Sequence, residues 1–561
     1  MIERTLGGLG IRVVAAAFLA AAAGCGGSDP CPGCDACPEA ACDACPTLDT
    51  PSDVAGEASP DVPADVAGDP APEAADVPSD PAAEVDVGPS PPTYWSAEAT
   101  HTVDDLVFVT YQGKKVFGLG IHPSYRGAWD GVTGPNGCAC DDVTGTCTGT
   151  TNDGVESTHL AAGAGANFVY TWGYEDDPEY LHVDPPFLGI WHGQYGTIDA
   201  AAGPGHEAIP IIACEYGETD LDGFDRDKAG QMKADFEDFQ ARRGRWSKEA
   251  MPNLPPYEEM PWFCWHPTFR MSGGGDGYSE LFTDEQVELY ARTTNMMIGD
   301  TYTYVCNRYE GIEAVIMGQK GPKGECYDDW LARDDPDHRS YFEASWKLAH
   351  SLRTHANPDA VVWMWMQGHA FDDDIGGGVC RDGQSGLWAN GPFPTLRYLR
   401  KEILSTIVAG GTGFIYFGYG YNRQATAEKL RGLVRALAST EVYGPALLSP
   451  RLDVGQDLQF AGEGGRAHLM AKWDAESRTA FLLGANPGAW MTPFEVTFPW
   501  TVAKVEMLDW FTPGWIEDPA VHGVEVADRT VRWTAPQDDG FILRVTPLFA
   551  GEPAGEVAEE P

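Results

Sequence analysis

Between Gly26 and Thr93 the chain has no Lys and no Arg. That stretch consists almost wholly of Pro, Ala, Asp, Glu, Val, Gly and Ser. It is too polar and self-repelling to bury a core, so it reads as an extended, disordered tether. Bases are scarce elsewhere too, with 37 Lys and Arg against 84 Asp and Glu, a formal net charge of -47. A field of that sign repels phosphate backbones and anionic lipid surfaces, which argues against nucleic acid as a partner. No second apolar run of about 18 residues follows the N-terminal one, so no internal membrane span is expected. Walker loops, dinucleotide Gly motifs, HExxH and GxSxG are missing from any matching strand-helix context. No cofactor and no metal is expected. Asp141 and Asp142 lack the spacing of an EF-hand loop.

What is present begins with an export signal. Arg4 and Arg12 precede or open the apolar run Ile11 to Ala23, which ends at Gly24-Cys25. The AAGC at its end resembles the bacterial lipoprotein processing box, with Ala22 where Leu is usual. The resemblance implies that Cys25 is lipidated and becomes the mature N-terminus, held at the bacterial cell envelope without a transmembrane helix. Ordinary secretion is the alternative. Cys31, Cys34, Cys37, Cys42 and Cys45 follow at spacings that suit zinc or an iron-sulfur cluster in a reducing compartment. Export favours disulfides instead, and the odd count leaves one thiol to pair elsewhere.

The folded region is expected from Tyr94. A strand pair at Leu106 to Val116 leads into FGLGIHP, and strands are expected at Asn167 to Trp172, Ile209 to Glu215, Trp262 to His266, Ile312 to Gly318, Val361 to Met366 and Phe414 to Phe417. Amphipathic helices are expected at Asp284 to Val305, Tyr341 to His355, Pro394 to Val408 and Ala425 to Ala438. Apolar runs bounded by helices predict buried parallel strands, and their repetition predicts an α/β barrel or open sheet. A barrel needs one more strand, expected within Pro185 to Ala202 or after the last helix. Beyond Gly444, short alternating strands without helices predict an all-β sandwich. The expected domains are a signal at 1–25, a tether at 26–93, a barrel at 94–443, a sandwich at 444–548 and an acidic tail at 549–561.

The segments YQGKKVFGLGIHP, AAGAGANFVYTW, VVWMWMQGHAF and FPTLRYLRKEILSTIVAGGTGFIYFGYG resemble, in that order, strands and helices of bacterial glycoside-hydrolase-like (β/α)8 barrels. The segment from AHLMAKW to FPW is similar to the β-sandwich that closes them. The resemblance implies a (β/α)8 barrel that acts on, or binds, carbohydrate. It also implies a central strand ending in an Asp-Glu-Pro that supplies an acid. In YEGIEAVIMGQKGP the corresponding positions are Gln319, Lys320 and Gly321, with Pro322 retained. A neutral amide cannot donate the proton.

Most glycosidases place two carboxyls about 5 to 9.5 Å apart, one protonated and one ionised. Residues just after barrel strands are the candidates. Glu215, ending IPIIACE, is the first catalytic candidate, and Asp372 in HAFDDD is the second. His122, Trp172, Tyr174, Glu175, His266, Arg270, Gln319, Gln367, His369, Tyr419 and Asn422 form an expected substrate lining. Such a list joins aromatic platforms to fixed donors and acceptors, as sugar sites do. With 18 Trp and 21 Tyr the chain has aromatic faces in plenty, most of them needed for the core. Cys138, Cys140 and Cys147 lie in a Gly-rich loop after the first strand and are expected to include a disulfide. Two functions follow: an envelope-anchored protein that binds and cleaves a poly- or oligosaccharide, or an inactive barrel that captures glycans at the surface. Oligomeric state is open.

Overall fold

The computed structural model describes residues 101–122, 138–140, 147–150, 154–171, 183–192, 211–220, 229–234, 237, 262–268, 284–304, 322, 324–368, 394–417, 424–459, 461, 467–512 and 514–548. Among these, eight strands close into a parallel barrel. In chain order they are β1 (Gly118–Ile121), β2 (Phe168–Thr171), β3 (Leu188–His192), β4 (Ile211–Asp220), β5 (Trp262–Thr268), β6 (Met296–Asp300), β7 (Val361–Gln367) and β8 (Gly413–Phe417). The ring closes where β8 pairs with β1, Ile415 opposite Gly120. Helices α1 (Gly154–Gly163), α2 (Asp284–Ala291), α3 (Tyr327–Arg333), α4 (Arg339–Phe342), α5 (Ala344–His355), α6 (Leu396–Val408) and α7 (Gln424–Ala438) lie between or after them. The expected (β/α)8 barrel is the observed fold.

One sequence expectation needs correction. The long helix over Asp284 to Val305 ends at Ala291, and the next apolar run, MMIGD, is β6, buried at every residue. Thr293, Thr294 and Asn295 are poor helix formers. The Thr294 hydroxyl donates to the Met296 carbonyl (3.1 Å) as the chain turns into the strand. With β6 there, the barrel closes without Ile312 to Gly318, a segment that lies outside the described residues. Gln319, Lys320 and Gly321 lie outside the described residues as well. The strand missing from the sequence reading is Leu188–His192, within one of the two stretches expected to hold it.

The barrel interior is filled, not open. Gly118 and Gly413 leave room for the Trp363 indole, which a Cβ at either position would meet at 2.4 Å. Phe168 stands edge-on to Trp363 at 4.6 Å, and one tier higher Tyr170 does the same to Trp365 at 4.6 Å. Such stacked layers are how a barrel of this size packs its core. The first two strands are locked by Asn167, whose side chain accepts from the Leu119 N–H (2.8 Å) and donates to the Phe117 carbonyl (3.0 Å).

After α7 come strands β9 (Arg451–Leu452), β10 (His468–Asp474), β11 (Thr479–Asn486), β12 (Thr492–Thr497), β13 (Val502–Asp509), β14 (Gly514–Ile516), β15 (Glu525–Ala527), β16 (Thr530–Ala535) and β17 (Asp539–Pro547). Six of them, with the short strand Thr102–Val103 at one edge, make a seven-stranded sheet; β12, β16 and β15 make a second, three-stranded sheet. One face of the larger sheet packs on the smaller through Leu469, Trp473, Leu482, Phe494, Val531 and Trp533. Its other face, through Met470, Phe481, Leu483 and Ile542, joins the core that surrounds the barrel. Burial on both faces explains why β11 (TAFLLGAN) is apolar nearly throughout and does not alternate. Helix α6 lies against β11 and β17, and Gly540 permits the approach, since a Cβ there would meet the Arg400 carbonyl at 2.4 Å.

Candidate active site at the barrel mouth

All eight strands run the same way, so their last residues share one rim: His122 just beyond β1, Thr171, His192, Asp220, Thr268, Asp300, Gln367 and Phe417. Around the barrel the register brings acids level with one another. Glu215 is opposite His192, the last residue of β3, and opposite Cys264 of β5. Strand β4 then runs five residues further, setting Glu218 beside His266 and Asp220 beside Thr268. Thr268 is in turn level with Asp300, and Asp300 with Trp365. The backbone thus gathers Glu215, Glu218, Asp220 and Asp300 onto neighbouring strands of one sector.

Asp300 was not a sequence candidate, because its segment was read as helix. The signal was there: MMIGD is an apolar run closed by an acid, the same form as IIACE. The Asp300 side chain is 3% exposed, a carboxylate held at the end of a buried strand. Buried carboxylates at strand ends are where acid and base assignments arise, because burial favours the protonated form.

His122 and Gln367 are brought together at this rim, and both are buried. His122 is fully buried, and its ring meets Tyr170 at 5.9 Å and Trp365 at 6.1 Å, so it belongs to the upper tier of the barrel filling. Gln367 is equally buried. Its amide oxygen accepts from the Tyr304 N–H (2.9 Å), and its amide nitrogen donates to the Tyr304 carbonyl (2.9 Å). The side chain pins the segment that leaves β6. Glu215 and His266 are placed by their strands' backbones. Asp372, Trp172, Tyr174, Glu175, Arg270, Gln319, His369, Tyr419, Asn422 and Cys25 lie outside the described residues. In the loop after β1, the backbone pairs Cys140 with Cys147 across a two-stranded hairpin.

The segment DTYTY that follows β6 is tied down residue by residue. The Thr301 hydroxyl bonds Ser345 (2.7 Å), Thr303 bonds the Tyr398 hydroxyl (2.7 Å), and the Tyr304 hydroxyl donates to Asp328 (2.5 Å). Burial and the Asp328 carboxylate push the Tyr304 hydroxyl well above its ordinary pKa, so it remains a donor. From Ser345 a hydrogen bond leads to Glu402, and Glu402 pairs with Lys401 (2.5 Å). Lys401 lies 4.3 Å from the Tyr398 ring and 3.6 Å from Asp538, which comes from the turn between β16 and β17. Asp538 accepts from the Tyr327 hydroxyl (2.7 Å). Burial pushes its carboxyl up to about 7, with Lys401 and the Tyr327 bond opposing the rise. A polar seam therefore runs from the barrel rim to the sandwich, with Lys401 set between the carboxyls of Glu402 and Asp538.

Among the described residues no group of three or more His, Cys, Asp or Glu is arranged to hold a metal, and no helix is long and apolar enough to cross a membrane.

No protein-family model matches the sequence, and no curated protein matches it. Solved structures do. A GH51 arabinofuranosidase from Xanthomonas axonopodis pv. citri aligns over 80% of this chain and 97% of its own, at 10% identity and a TM-score of 0.38. AbfB, a family 51 α-L-arabinofuranosidase from Bifidobacterium longum, aligns over 82% and 100%, at 12% identity and a TM-score of 0.36. A GH27 β-L-arabinopyranosidase from Geobacillus stearothermophilus aligns over 81% and 98%, at 9% identity and a TM-score of 0.33.

Proposed function

We propose that this chain is a glycoside-hydrolase-like protein of the bacterial envelope that binds and hydrolyses a poly- or oligosaccharide at the barrel mouth. The observation that carries the reading is the gathering of Glu215, Glu218, Asp220 and Asp300 on strands β4 and β6, which flank β5, at the rim where barrel chemistry occurs. Hydrolysis of a glycosidic bond needs two carboxyls in different protonation states. Asp300, buried at the end of β6, and Glu215 on β4 are the two carboxyls assigned to that chemistry. His122 and the Tyr170–Trp365 pair form a rigid floor, and the Gln367 clamp on Tyr304 keeps the wall beside Asp300 from shifting. Envelope location rests on the signal and AAGC at Cys25; the disulfide at Cys326 agrees with an oxidising compartment.

The test compares the native chain with Glu215→Gln and Asp300→Asn on soluble arabinan, xylan and galactomannan, reading released reducing ends and ligand-induced thermal shifts together. Release that falls at least about a hundredfold in either variant, with binding kept, is the expected result. Thermal shifts without release from the native chain favour the second reading, a surface glycan receptor. Anchorage is tested by Cys25→Ser, which should move the protein from the membrane to the soluble fraction.

A further inference from the structure

Where the sandwich meets the barrel rim there is a cleft of about 600 Å³. Barrel residues Asp328, Arg397 and Arg400 line it on one side, and sandwich residues Phe511, Gln537 and Asp538 on the other. It opens at the level of the mouth, because α6 connects the parallel strands β7 and β8 and must start at their C-terminal rim. We propose that this cleft is a second carbohydrate-binding subsite, outside the barrel, that holds a distant part of a polymeric glycan.

Three observations carry it. First, Phe511 is 77% exposed, yet it is not loose: Asp509 accepts from the backbone N–H of Phe511 (2.9 Å) and of Thr512 (3.2 Å), fixing the turn that presents the ring. A flat apolar face held at the lip of a polar cleft is a stacking surface for a sugar ring. Second, the polar groups are fixed in advance. Arg400 makes a two-pronged pair with Asp539 (2.8 and 2.7 Å), and Asp538 is held by Tyr327 (2.7 Å), so little order is lost when a ligand binds. Third, the charges balance. Arg397 and Arg400 share the lining with Asp328 and Asp538, and Arg400 is already paired with Asp539, so no bare charge of one sign dominates and the groups suit the donors and acceptors of a neutral polyol. Asp328 also accepts from Tyr304, whose backbone Gln367 holds, so one wall of the cleft is continuous with the rim.

The ligand class rests on the carbohydrate reading above, whereas the location of the subsite does not depend on catalysis. The test is affinity electrophoresis of the full chain through gels holding arabinan, xylan or galactomannan. Phe511→Ala and Gln537→Ala are run beside Trp490→Ala, a change at another exposed ring (61%) away from the cleft lining. Expected is retardation of the native chain by at least one polymer, weakened about three- to tenfold by each cleft variant and unchanged by Trp490→Ala. Cleft variants that bind like the native chain, or Trp490→Ala weakening binding equally, overturn the subsite while leaving the carbohydrate reading in place. Absence of retardation in every gel overturns both.

Discussion

The Gln367 side chain and the Tyr304 backbone form a closed pair of hydrogen bonds, each 2.9 Å, that joins the end of β7 to the segment leaving β6. Both partners are buried, so the pair is worth more than its net energy in water implies. Gln367→Leu strands the N–H and the carbonyl of Tyr304 together and should cost about 2 to 4 kcal/mol. Gln367→Glu keeps an acceptor and should cost less. Urea unfolding of the two variants checks the order, and equal losses would mean that the acceptor half of the clamp contributes nothing.

Trp363 and the two glycines beside it make a second prediction. Gly118→Ala or Gly413→Ala puts a methyl group 2.4 Å from the indole, in an interior with no slack. Each should destabilise by about 1 to 3 kcal/mol, and Trp363→Phe in the same chain should recover part of the loss. Simple additivity of the single and double variants in thermal unfolding would contradict the contact.

Asp538 makes stability depend on pH in a direction opposite to that of most surface carboxylates. Its folded pKa of about 7 lies above the ordinary value of 3.8. Between the two, the folded protein keeps a proton that the unfolded chain has released. The stabilisation is complete below the lower value and is lost as pH rises through the upper one. Asp538→Asn keeps an acceptor for Tyr327 and removes that proton, so its stability should fall less from pH ~4.5 to ~7.5. Parallel slopes in unfolding series of the native and variant chains would sink the assignment.

Much of the architecture was legible from local pattern. VVWMWMQ and GFIYF announced themselves as β7 and β8 because a strand buried on both sides must be apolar throughout. The FPTLRYLRKEIL run became α6, its start marked by Thr395, which accepts from the Tyr398 N–H. MMIGD failed by the same logic: a short apolar run closed by an acid after a helical stretch has no period of its own, and only closure of the ring made it β6. The site was less legible. Strand β4 runs five residues past Glu215, the strand end expected, Asp300 was hidden by the helix assignment, and the bonds of the Gln367 amide to Tyr304 have no sequence signal.

The chain by itself determined the pieces: six of the eight apolar barrel strands, the helix before the last of them, and the alternating strands beyond Gly444. These follow from solvation and local sterics, which act over a few residues. Tertiary structure alone decided which pieces meet. It set Asp300 level with Thr268, turned His122 into barrel filling, and brought Asp538 to Tyr327 across 211 positions. Such pairings exist only once the ring closes and α6 is pressed between barrel and sheet, because no local pattern specifies a partner that distant.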